Sequence, residues 1–144
     1  MTRFRKRGFK MNKRTILLDY GDDSELFESY TELKLKLIEN GYDVKPLINK
    51  RNRCSKITDN YIKYSLWELM NNPASFVVKI LWKTKSLNEK KYIVISENSK
   101  ILNAFKIYNI NTCLLCRFSD KEYELYSTFP SPKFEKVKTK IKSN

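Results

Sequence analysis

The feature that most constrains this chain is a change of hydrophobic period near its start. Thr15–Tyr20 (TILLDY) is a short apolar run closed by Gly21, which reads as a buried strand. Immediately afterwards Leu26, Tyr30, Leu33 and Leu37 recur at helical spacing, on one face of a helix spanning Ser24–Glu39. Asp22, Asp23 or Ser24 can cap that helix, Glu25 and Glu28 suit its positive end, and Asn40-Gly41 stops it. Tyr42–Ile48 (YDVKPLI) then reads as a second strand, with Pro46 marking an edge or a strand end. A strand, a long helix and a strand in succession make a parallel crossover, because two-residue hairpins join only antiparallel neighbours.

The same reading continues along the chain. Ile57–Asn71 is expected to be a helix with a face of Ile62, Leu66, Leu69 and Met70, ended by Asn72-Pro73. Phe76–Trp82 (FVVKILW) and Tyr92–Ser96 (YIVIS) read as strands. Lys100–Tyr108 reads as a helix burying Ile101, Leu102, Phe105 and Tyr108, in preference to a hairpin with 92–96 turning at Asn98-Ser99. Strands at Thr112–Phe118 and Tyr123–Phe129 complete the set before Pro130 and Pro132. The order β-α-β-α-β-β-α-β-β predicts an α/β sandwich of two or three layers around a mostly parallel sheet of Rossmann-like order, with a thioredoxin-like arrangement as the alternative. One α/β domain is expected over 15–129, between a basic arm at 1–14 and a basic tail at 130–144.

Composition narrows the chemistry. The chain has 144 residues, 41% of them hydrophobic, enough for one packed core. No apolar run reaches the roughly 20 residues of a membrane-spanning helix, and no secretory h-region follows the start. The expectation is an intracellular protein of the cytoplasm or an organellar matrix, with no membrane partner. With no histidine, Ser-His-Asp and Cys-His catalysis are excluded. The three cysteines are read as reduced thiols, and Cys113-Leu114-Leu115-Cys116, in a strand-like run, as core packing. Three glycines cannot build a phosphate-cradling loop.

Charge is the strongest functional signal. The net charge is +13, and its placement matters more than its size. Residues 1–14 carry Arg3, Arg5, Lys6, Arg7, Lys10, Lys13 and Arg14 with no acid. Residues 130–144 carry Lys133, Lys136, Lys138, Lys140 and Lys142 against Glu135, which leaves the body only +2. Such blocks of like charge commonly grip nucleic acid, and Phe4 and Phe9 interleave the arginines as stacking surfaces would. A solvated tail or an organellar transit peptide is the other reading of the arm. Within the domain, Lys50, Arg51, Arg53 and Lys56 cluster in one loop, the best internal candidate for phosphate contact. Tyr64 and Trp67, three apart on the expected second helix, could form a stacking ledge, though core or interface packing is the commoner role of such residues. The stretch 19–32 is oppositely charged, with Asp19, Asp22, Asp23, Glu25, Glu28 and Glu32.

In a parallel α/β sheet, ligands sit outside the carboxyl ends of the strands. Asp19, Asp22 and Asp23 follow the first strand and Glu97 follows the YIVI strand. If they converge, they are the catalytic candidates for Mg²⁺-dependent phosphoryl chemistry. Helix capping and compensation of the helix dipole are the preferred account of the aspartates.

This layout, over residues 15–118, resembles the haloacid dehalogenase-like phosphatases and, more loosely, PIN-type nucleases. The resemblance puts Asp19 in the nucleophile's place, Asn49 where a Ser or Thr is expected, Lys83 as the lysine and Glu97-Asn98 in place of an acidic pair. Gly21 stands where the second aspartate belongs, so an intact aspartyl-phosphate mechanism is not expected. If residues 92–108 form a hairpin instead, then Val44–Ser55, NYIKYSLWELMNNP and FVVKIL are similar to the thioredoxin-like mitochondrial ribosomal proteins and a complex I accessory subunit.

The leading expectation is a non-enzymatic nucleic-acid-binding protein, RNA preferred, with no cofactor and no metal. It would be part of a ribonucleoprotein such as an organellar ribosome, beside other proteins of that assembly, or a phage or viral nucleic-acid factor. The alternatives are the Mg²⁺-dependent phosphohydrolase or nuclease, and a phage module that inhibits a host protein through the acidic 19–32 face.

Overall fold

The computed structural model describes residues 14–21, 24–52, 61–84, 92–119 and 121–127. Strand β1 is Thr15–Gly21; a 3-10 turn at Ser24–Leu26 leads into helix α1, Phe27–Glu39. Strands β2 (Asp43–Asn49) and β3 (Ile62–Tyr64) follow, then helices α2 (Leu66–Asn71) and α3 (Pro73–Lys83). Strand β4 (Tyr92–Ser96), helix α4 (Ser99–Lys106), β5 (Asn111–Arg117) and β6 (Tyr123–Ser127) complete the order. The strands form one sheet in the order β3-β2-β1-β4-β5-β6, parallel except for β6, which runs antiparallel to β5. This is a mixed α/β sandwich of Rossmann-like order.

Side chains alternate across the sheet and so build two cores. On one face Ile16, Leu18, Ile93, Ile95 and Leu115 pack against Tyr30, Leu33 and Leu37 of α1. On the other, Leu17, Leu47, Ile62 and Val94 pack against Leu69 of α2, Phe76 and Ile80 of α3, and Ile101 and Phe105 of α4. Buried on both faces, the central strands must read as unbroken apolar runs, which TILLDY and YIVIS do.

Several expectations are met in detail. The α1 face is the expected one, and Gly41, at φ +93°, closes the helix in a conformation that favours glycine. Pro46 lies within β2 yet outside the stretch that β3 pairs, Leu47–Asn49, so only one neighbour is present there. Residues 99–106 are helical and β4 pairs β1 and β5 in parallel, which removes the hairpin on which the thioredoxin-like resemblance rests. Cys113 is buried in the α1-side core. Cys116, three positions on in the same strand, points to the opposite face and is only half-buried, so the core reading holds for Cys113 alone. The aspartates proposed as caps, Asp22 and Asp23, lie outside the described residues.

Two elements differ from the sequence reading. Within the helix expected at Ile57–Asn71, Ile62–Tyr64 is a strand, because buried Ile62 and Tyr64 flank exposed Lys63 with period two and extend the sheet. The helix begins only at Leu66. The strand expected at Phe76–Trp82 is instead helix α3. Asn72 accepts a hydrogen bond from the Ser75 N–H (3.1 Å) and Pro73 occupies the first turn, so a helix starts where one was expected only to stop. Phe76, Val77, Ile80 and Leu81 form its buried stripe while Val78 and Trp82 stay exposed. Tyr64 is buried in β3, in keeping with the core reading, while Trp67 is exposed on α2, so the two form no ledge.

Candidate functional site

Between β1 and β4 the strand order reverses, so connections leaving their carboxyl ends diverge and open a cleft. A cavity of about 520 Å³ lies there, lined among others by Asp19, Gly21, Asn49, Tyr64, Glu97 and Ser99. Asp19, Asn49, Tyr64 and Ser96 reach this end of the sheet on one face by alternation from Leu17, Leu47, Ile62 and Val94.

Asp19 is almost wholly buried and held by three donors. The Tyr64 hydroxyl (2.6 Å) and the Gly21 N–H (2.8 Å) donate to Oδ1, and the Ser96 hydroxyl (2.7 Å) donates to Oδ2. Burial outweighs these bonds, holding the carboxyl pKa above its ordinary value, and the nearby charge of Glu97 adds to the shift. One side chain therefore ties together the ends of β3, β1 and β4.

Glu97 lines the same cleft and is held from its α1 side. Its Oε2 accepts from the Tyr30 hydroxyl and from Arg117 Nε (3.3 Å). Arg117 also donates to Ser29 Oγ (2.7 Å), and its guanidinium lies over the rings of Tyr30 and Tyr123. Burial, then the bond to Glu97, pushes the Tyr30 phenol far up, so it remains a donor.

The resemblance to metal-dependent phosphatases can be weighed against these residues. Both carboxylates are already engaged by protein donors, and no group of three or more acids, cysteines or histidines gathers among the described residues. The described donor set does not fit a Mg²⁺ ion. Asp22 and Asp23 are outside the described residues. Asn49 does stand at the end of β2, where the resemblance expects Ser or Thr. Lys83 is turned elsewhere, donating to the Lys63 carbonyl (3.2 Å).

A second concavity, of about 280 Å³, adjoins the first and shares Tyr64 with it. Lys50, Lys63, Lys79 and Lys83 line it together with Trp67 and Glu68. Trp67 is 74% exposed. Glu68 pairs with Lys79 at 2.5 Å, leaving an excess of three positive charges in the groove.

Of the residues expected to contact nucleic acid, Lys50 and Arg51 are exposed at the turn after β2, on the rim of this groove's end of the sheet. Arg14 sits at the opposite end, its carbonyl accepting from the Asp43 N–H (3.0 Å) and its side chain half-buried near Tyr42. Arg3, Arg5, Lys6, Arg7, Lys10, Lys13, Arg53, Lys56, Lys136, Lys138 and Lys140 lie outside the described residues. Sequence reading missed Lys63 and Lys79, because both stood in segments assigned to the wrong element type. It also missed Tyr64 and Ser96, whose role as donors to Asp19 depends on strand order. No helix among the described residues is long and apolar enough to cross a membrane. Compared with protein-family models, curated proteins and solved structures, the chain finds no match.

Proposed function

We propose that this chain is a non-enzymatic nucleic-acid-binding protein, with single-stranded RNA as its preferred ligand and a place in a ribonucleoprotein assembly. The observation that carries the reading is the groove that Lys50, Lys63, Lys79 and Lys83 line together with the exposed Trp67. Lysines neutralise phosphates without reading sequence, while an indole face stacks on an unpaired base of any kind. An exposed indole has little to offer a duplex, whose bases are already stacked, and this favours a single strand. The basic segments at 1–14 and 130–144 supply further positive charge for the same polyanion. The engagement of both Asp19 oxygens by protein donors favours binding over hydrolysis.

The test is fluorescence anisotropy with a labelled single-stranded RNA. Trp67→Ala is expected to weaken binding by about 1–3 kcal/mol, the usual worth of one stacked base. Because Trp67 is mostly exposed, the melting temperature should hardly move. Equal affinity of wild type and a combined Trp67→Ala, Lys63→Ala, Lys79→Ala variant would rule the groove out. For the hydrolase reading, Mg²⁺-dependent turnover of polynucleotides by wild type, lost in Asp19→Asn, is the result that would displace ours.

A further inference from the structure

Asn49 is only 3% exposed, and its Oδ1 accepts the Arg51 N–H at 3.0 Å. That bond fixes the amide orientation, leaving Nδ2, which lines the switch-point cleft, without a partner among the described residues. This nitrogen is not sealed off from solvent, so an acceptor on a ligand in the cleft can take the place of water there. Ser99 opens α4 on the same cleft. The next two N–H groups are taken by the Asn98 side chain (2.9 Å) and carbonyl (3.1 Å), but the Ser99 N–H is not. Glu97 lines the same cleft, with Oε2 committed to Tyr30 and Arg117 and its other oxygen without a partner among the described residues.

We propose that this cleft binds one nucleoside unit, its base and sugar inside and its phosphate directed outward to Lys50. The ligand must offer acceptors to Asn49 and Ser99 and a donor to Glu97, which a ribose and a base edge do. Inorganic phosphate carries its charge without a base or a sugar to fill the cleft and would meet the charge of Glu97. A cavity of about 520 Å³ is within the usual range for small-ligand pockets and accommodates a nucleoside. Lys50 follows Asn49 in the chain and lines the lysine groove, and Tyr64 lines both concavities, so a strand leaving the cleft runs directly into the groove. The outward path of the phosphate rests on the nucleic-acid reading above; occupation of the cleft by a nucleoside does not.

Full-length protein titrated with adenosine 5′-monophosphate, uridine 5′-monophosphate and inorganic phosphate, followed by calorimetry and amide chemical shifts, tests this. Either nucleotide is expected to bind and to shift the Asn49 side-chain and Ser99 backbone resonances. Asn49→Asp keeps the acceptor for Arg51 but replaces the free donor, and should weaken nucleotide binding about tenfold or more, the worth of one lost hydrogen bond. Ser99→Pro removes the unpaired N–H together with the hydroxyl at a helix position that tolerates proline, beside an Asn98 already extended; it should act in the same direction, and more strongly than Ser99→Ala, which removes the hydroxyl alone. Lys79→Ala should leave mononucleotide binding unchanged while weakening RNA. Inorganic phosphate binding as tightly as the nucleotides would overturn the proposal, as would folded wild-type protein that binds no nucleotide. Nucleotide binding in a protein that binds no RNA would uphold the cleft and refute the groove.

Discussion

Asp19 shows how one residue can be both the most suggestive in the sequence and the most firmly built in. Removing it strands three donors, two of them side chains from other strands. Asp19→Ala is therefore expected to cost about 3 kcal/mol or more, at roughly 1–3 kcal/mol per unsatisfied buried group. Asp19→Asn retains an acceptor and should cost less. The two also differ in pH response. The folded-state pKa of Asp19 lies above its ordinary value of 3.8, so the folded chain holds a proton that the unfolded chain releases. Its contribution to stability is complete below pH 3.8 and declines as pH rises through the folded-state value. Asparagine does not titrate. Urea midpoints of wild type minus Asp19→Asn should therefore shrink from pH 3.8 upward. A difference that grows with pH would mean that the three donors outweigh burial.

At the scale of elements, legibility followed burial. Strands covered on both faces, such as Tyr92–Ser96, carry an unbroken apolar run that nothing else in the chain imitates. Helix α1, covered on one side only, carries a clean amphipathic stripe. Helix α3 fails both tests. Its FVVKILW run is apolar on its exposed side as well, at Val78 and Trp82, so β-branched and aromatic residues imitate a strand. The local signal that decides it is the Asn72-Pro73-Ala74-Ser75 start, which was legible as a stop signal and overlooked as a cap. Asn72→Ala should accordingly destabilise the protein by about 1 kcal/mol, read as a lower urea midpoint with unchanged slope. Strand β3 was hidden for another reason. Three residues are too few to establish a period, and Ile62–Tyr64 is a strand because β2 presents an unpaired edge at Leu47–Asn49. That information is tertiary. The candidate site divides in the same way. Asp19 and Glu97 were visible as residues after apolar runs and Asn49 through the phosphatase resemblance, whereas Tyr64 and Ser99 became site residues only once the strand order was known.

Across the whole molecule, the switch-point cleft and the lysine groove lie side by side at the carboxyl end of the sheet, while Arg14 is at the amino end of β1. Helix α1 carries exposed Glu28 and Glu32 on the opposite face from α2 and α3. The fold thus gathers a basic groove at one end of the sheet, while Glu32 on α1 is offset by Lys36 (3.7 Å); on the proposed reading it is the groove that attracts the polyanion. Counterion release makes this measurable. Each phosphate neutralised on a single strand contributes about −0.7 to the slope of log affinity against log salt. Lys63→Ala, Lys79→Ala and Lys83→Ala together remove three contacts within the groove and should flatten that slope by about 2. Removing residues 1–13, which carry six positive charges, should flatten it further and independently, by up to about 4 if every charge meets a phosphate. Slope changes that add show the arm and the groove binding separate phosphates of one strand. An arm deletion that abolishes all salt dependence would place binding on the arm alone and leave the lysines around Trp67 as ordinary solvated surface.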